Sequence, residues 1–160
     1  MEDNSFFLKY KGVMELNLVR EGTVVDTRRI DNVFLNVGKD WAIQRLFDDG
    51  ANVVSGTAAM YFYVGNSTSG NNVGATATDT TSQTVEQARV IFVYASGARG
   101  AMSGTATFIT STANFQITEA GIFAGGSVTG DGVFVARAQF TAIGKTSNDT
   151  LQVKWDVSIA

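Results

Sequence analysis

Side chains able to do chemistry are scarce in this chain, and their types narrow what it can do. It has no His and no Cys. The commonest general base near neutral pH and the thiolate nucleophile are therefore missing, along with the usual ligands for zinc. What remains is a scatter of carboxylates: Asp48 and Asp49, Glu86, Glu119, Asp131 and Asp149. Glycoside hydrolysis would need two of them facing each other across a cleft, one as acid and one as nucleophile or base. Asp48 and Asp49 stand where a helix is expected to run out, and nothing in the spacing sets another two opposite each other. Calcium needs about six to eight oxygen ligands, whereas Gly130-Asp131-Gly132 brings one carboxylate to its loop. The expectation is a protein with no catalytic residues, no cofactor and no metal.

Glu119 and Arg137 carry a different message. Each interrupts an otherwise apolar strand, and the two strands are joined by a glycine-rich hairpin turn. Facing each other, they would form a partly buried, hydrogen-bonded ion pair that fixes strand register. Arg89 and Glu86 are spaced to join them. No nucleophile, oxyanion hole or base stands beside the pair, so its reading is structural.

Strands must hold such a pair, and the last segment shows what kind. Leu151, Val153, Trp155, Val157 and Ile159 alternate with Gln152, Lys154, Asp156 and Ser158. Strict period-two alternation means one buried face and one wet face. So wide an apolar row needs a second surface closing over it, which implies a sandwich or barrel.

The rest of the chain fits that frame. Its 160 residues, 44% of them hydrophobic, suit one domain with a proper core. Residues 12–19 and 23–30 read as a β-hairpin turning at Glu21-Gly22. Its charged outward residues suggest a solvated or inter-subunit sheet rather than a central one. Residues 40–48 read as one short α-helix, with Asp40 as N-cap and Gly50 as C-cap. Residues 59–64 form a short buried strand. Residues 65–82 contain a single charge, Asp79, and read as a long loop able to order against a neighbour. From Glu86 onward, strands at 86–95, 102–110, 115–123, 133–141 and 150–159 suggest a five-stranded meander. The expected fold is mainly β: an antiparallel β-sandwich or jelly-roll-like barrel with an N-terminal hairpin and one helix. Its expected parts are an N-terminal arm over residues 1–10 and one β domain over 11–160. Within that domain, 11–50 is charged and 57–160 is the neutral meander.

Charge excludes some partners. The net charge is −3, and 16 of the 27 charged side chains fall in the first 50 residues. A phosphate-binding surface needs clustered Lys and Arg, so nucleic acid is not expected as a partner. No apolar run follows a basic start and none approaches a membrane span, so neither a signal peptide nor a membrane segment is expected. Phe6, Phe7, Leu8 and Tyr10 crowd an apolar cluster near the terminus, suited either to the core or to docking on a neighbour.

Three pieces together resemble a known family. They are Asn32-Val33-Phe34-Leu35-Asn36-Val37-Gly38-Lys39 entering a helix; Tyr61-Phe62-Tyr63-Val64-Gly65-Asn66 before a Thr/Ala-rich loop and Glu86-x-x-Arg89; and Ile117-Thr118-Glu119-Ala120-Gly121-Ile122-Phe123. The last continues to Val135-Ala136-Arg137-Ala138-Gln139-Phe140 and to Asp149-Thr150-Leu151-Gln152-Val153-Lys154-Trp155. Over residues 32–159 this order resembles the capsid decoration, or cement, proteins of tailed bacteriophages. The resemblance implies a non-enzymatic β-sandwich that binds the outside of a virion capsid and clamps neighbouring major capsid proteins. It implies a homo-oligomer, a homotrimer in preference to a dimer, made in the host cytoplasm and located on the capsid exterior.

The contact residues expected on that reading are Phe6, Phe7, Leu8, Tyr10, Glu21, Gly22, Asn66, Asn71 and Asn72. The alternatives are a phage tail or fibre component and a carbohydrate-binding module; a carboxylate hydrolase ranks below both. Sugar-binding platforms are exposed aromatics, and Trp41 and Trp155 are both expected to face inward.

Overall fold

The computed structural model describes residues 10–36, 38–40, 42, 60–66, 86–96, 101–125 and 132–159. Strand β1 (Tyr10–Arg20) buries Met14, Leu16 and Leu18, and sets Val13, Glu15, Asn17 and Val19 at half-exposed alternate positions. The chain reverses at Glu21 and Gly22, whose φ angles are 49° and 78°. Positive φ at both central residues gives a hairpin turn whose twist matches that of its strands. The hairpin partner is β2 (Thr23–Phe34). After it come β3 (Met60–Gly65), β4 (Glu86–Ile91), β5 (Val93–Ser96) and β6 (Ala101–Phe108). β7 (Gln116–Ala124), β8 (Val133–Gly144) and β9 (Asp149–Ile159) complete the described strands.

Every pairing is antiparallel, in the order β4-β3-β7-β8-β2-β1-β9-β6-β5. This order forms two layers, β2-β1-β9-β6-β5 and β8-β7-β3-β4, and two segments pass between them. β2 pairs with β1 as far as Asn32, then joins β8 through Val33↔Arg137 and Phe34↔Ala136. At the other margin β4 pairs with β3 and β5 with β6, with Phe92 alone between them. Strands that switch sheets in this way make the corners of a sandwich. The fold is thus a mainly β antiparallel sandwich rather than a closed barrel.

The core lies between the layers. Met14, Leu16 and Leu18 from β1 and Leu151, Val153 and Trp155 from β9 face Phe62, Val64, Ile117, Ile122 and Ala136 from the second layer. Trp155 is at the centre, its ring 5.6 Å from Phe34 and 5.9 Å from Phe92. Burying side chains of this size supplies roughly 1.5–3 kcal/mol each. A second cluster, Leu35, Tyr63, Phe123 and Phe134, has its own stacked and edge-on rings. β7 and β8 are therefore buried on both faces over much of their length.

Four expectations change. β1 is a central strand, paired with β2 on one side and β9 on the other. The single strand expected over 86–95 is two. The Phe92 N–H turns to the Met60 carbonyl at 2.7 Å, and the Phe92 side chain enters the core while Ile91 and Val93 stay exposed. The meander is absent, since β6 leads to β7 and β8 to β9 across the layers, so consecutive strands often lie in different sheets. The helix starts earlier than Asp40: Asn36, residues 38–40 and residue 42 are helical, and the Lys39 N–H donates to the Leu35 carbonyl at 3.0 Å. Asp40 is thus inside the helix and does not cap it. Gly38 permits this entry, because a Cβ there would stand 2.4 Å from the Val135 carbonyl oxygen. Residues 43–50, with the expected helix end, lie outside the described residues.

Candidate functional site

Among the described residues the hairpin tip is one of the places where the fold leaves large apolar side chains uncovered, the corner at Ile91 and Val93 being another. Leu18 pairs with Asp26 but Val19 pairs with Val24, so Val25 is the extra residue of a β-bulge. A bulge breaks alternation and re-aims side chains. Val24 and Val25 are 52% and 50% exposed in succession, where strict alternation would have turned one of them inward. Ile109 adds to them: Phe108 and Leu18 both pair with Leu151, and Ile109 follows Phe108, at the same end of the layer. It is 55% exposed.

Charged groups brace this end. Arg20 Nε donates to Asp149 Oδ1 at 2.7 Å, and Nη2 donates to Oδ2 at 3.2 Å. The Thr146 N–H and hydroxyl also donate to Oδ2, at 2.8 and 2.6 Å. The Arg20 side chain, followed by both Thr146 donors, holds the Asp149 carboxyl well below the usual carboxylate range, against the opposing effect of burial. Lys145, also buried, donates through Nζ to the carbonyls of Ile109 and Thr146 and to Asn114 Oδ1. Burial lowers its pKa, and the Asp149 charge partly opposes that. These bonds tie the loop after β6, the loop before β9 and the end of β1 together at this end of the layer.

The expected contact residues are distributed unevenly. Glu21 and Gly22 form the exposed tip itself, and Asn66 is exposed just after β3. Tyr10 belongs to β1 rather than to an arm: it pairs with Ile159, and its half-buried ring is 5.2 Å from Phe34. Phe6, Phe7, Leu8, Asn71 and Asn72 lie outside the described residues. Val24, Val25 and Ile109 were not anticipated, although two valines directly after a hairpin turn already break the alternation.

Glu119 and Arg137 do meet, and they are buried completely rather than partly, with side-chain exposures of 0% and 4%. They are diagonal neighbours, since Glu119 is opposite Gln139 and Arg137 opposite Gly121. Arg137 Nε donates to Glu119 Oε2 at 2.9 Å, Arg137 Nη2 donates to the same oxygen, and Gln139 Nε2 reaches it at 3.4 Å. Glu119 Oε1 is buried with no hydrogen-bond partner among the described residues. Register puts Tyr63 between Arg89 and Gly121, and Gly65 between Glu86 and Glu119. A Cβ on Gly121 would stand 2.2 Å from the Tyr63 ring, so this row is filled. The pair locks β7 to β8 and offers no open face to a reactant.

Among the described residues no three acidic side chains gather as a metal would require. Asp48, Asp49 and Asp131 lie outside them, and Asp149 is engaged as above. No family model, no curated protein and no solved structure matches this chain.

Proposed function

We propose that this protein is a non-enzymatic virion structural protein that docks on the outer surface of a phage capsid and cements neighbouring major capsid proteins. The observation carrying this reading is the aliphatic tip of the β1–β2 hairpin, Val24 and Val25, with Ile109 exposed at the same end of the layer three strands along and the Arg20–Asp149 pair bracing the strands between. Exposed aliphatic side chains grouped at one end and rimmed by charge mark contact surfaces. The resemblance of the motif order over residues 32–159 to capsid decoration proteins supports a major capsid protein as the partner. Trp155 is enclosed in the core, which weighs against its serving as a stacking platform for sugars; Trp41, also expected to face inward, lies outside the described residues.

Co-sedimentation of the purified chain with empty, undecorated shells tests the reading. Saturable binding is expected, and the V24D/V25D variant should lose it while keeping the wild-type circular dichroism spectrum and unfolding midpoint. Wild-type protein that stays in the supernatant would redirect the assignment to a tail component or a glycan-binding module.

A further inference from the structure

We infer that β2 carries a self-complementary edge through which two copies of this chain pair, antiparallel, about Thr27. The inference stands on the strand itself and does not depend on shell binding. Among the described residues, residues 23–32 pair with β1 on one side and have no strand on the other, because β8 joins β2 only at Val33 and Phe34. Val24, Val25, Thr27, Arg29 and Asp31 along this edge are exposed, and Asp26 and Arg28 are half-buried. A strand edge of this length is a template for another strand unless its side chains forbid it.

Those side chains select a register. Residues directly opposite in an antiparallel pair share a face, so a two-fold between copies of β2 must pass through a residue. Centring on Asp26, Arg28 or Arg29 sets like charges opposite each other. Centring on Ile30 would match Arg29 with Asp31, but would drive the second copy's Thr27 and the residues before it into β8, which already occupies the edge at Val33 and Phe34. Centring on Val25 puts the two-fold on the bulge itself and uses only the hairpin end.

Centring on Thr27 sets Asp26 of each copy opposite Arg28 of the other and Thr27 opposite itself. It also brings the second copy's turn toward the point where β8 begins, while Val24, which the bulge sets on the face of Val19, stays on the face away from Ile30. Opposite charges and Thr–Thr pairs are favoured across antiparallel strands. In a single chain Arg28 Nη1 donates to Asp26 Oδ1 at 2.5 Å, so pairing exchanges an internal ion pair for two reciprocal ones. The bulge at Val25 falls outside the regular central triplet Asp26-Thr27-Arg28.

Sedimentation velocity of the full chain at low ionic strength, over a concentration series, tests this. A dimer is expected for wild type. R28D and D26R each set like charges opposite in both halves of the interface, and should raise the dissociation constant about tenfold or more. The two variants mixed in equal amounts should regain the dimer, because the two carboxylates of the R28D copy then meet the two guanidinium groups of the D26R copy. A merely intrachain role for the pair predicts no such rescue in trans. The double swap D26R/R28D keeps both the internal pair and the complementarity, and should dimerise, which separates loss of pairing from loss of fold. Wild type that remains monomeric, or an oligomer that both reversals leave intact, overturns the inference.

Discussion

Arg20 closes β1 and Asp149 opens β9, and the two residues are both register partners and ion-pair partners. The pairing clamps the end of the first strand to the start of the last. Because the Asp149 carboxyl titrates well below its ordinary value of 3.8, its contribution is complete above that pH. It is lost as pH falls from about 4 toward the folded-state value, where the unfolded chain binds the proton first. Urea unfolding at pH 7 and at pH 3 should therefore show a large acid loss in wild type and a smaller one in D149N. Equal losses in the two proteins would remove Asp149 from the acid response.

Breaking the Glu119–Arg137 pair from one side should cost far more than removing it whole. R137M leaves a buried carboxylate without its counter-charge, and should destabilise the protein by about 3–5 kcal/mol. E119L/R137M replaces both groups with apolar side chains of similar volume and should recover most of that loss. Denaturant titrations of the two single variants and the double variant close the cycle. A double variant no more stable than R137M would mean that the pair does more than cancel its own burial.

The corner at Phe92 depends on a glycine. A Cβ on Gly104 would stand 1.7 Å from the Phe92 ring, so G104A forces the ring out of its place. A loss of about 1–3 kcal/mol is expected from such overpacking. Shortening the ring first, in F92L, should shrink the additional cost of G104A, which the two denaturation differences would reveal as a coupling energy.

Trp155 touches both corner strands, through Phe34 on β2 and Phe92 between β4 and β5. W155A should cost about 3–5 kcal/mol, the range for deleting a large buried aromatic side chain. If thermal unfolding instead moved by only a degree or two, the two layers would be held together mainly elsewhere.

Much of the local structure was legible in residue order. The alternation of residues 151–159 announces β9 with its inner row, and Leu151, Val153, Trp155 and Val157 are buried accordingly. Glu21-Gly22 announces the hairpin turn. Glu119 and Arg137, charges in apolar strands linked by a hairpin, announce each other. The break at Phe92 was not legible, because residues 90–95 are apolar throughout and carry no period from which a change of sheet could be read. Nor was the central place of β1, whose charged outward residues look the same on a central strand as on an edge. The exposed valines depend on a one-residue bulge, set by pairing between strands rather than by composition.

By itself, then, the amino-acid order determined that this chain is built of strands, where most of them lie, which faces are apolar, and that no histidine or thiol chemistry is available to it. These are properties of periods of two residues and of side-chain identity, and they do not depend on what lies far along the chain. The tertiary structure alone decided the order of the sheets, the two corner crossings, the complete burial of the Glu119–Arg137 pair, the valine tip of β2 and its edge, open among the described residues. Each of these depends on pairings between residues distant in sequence, Arg20 with Asp149 or Phe34 with Ala136. Such pairings follow from how all the apolar faces can be covered at once, a condition that no single segment contains.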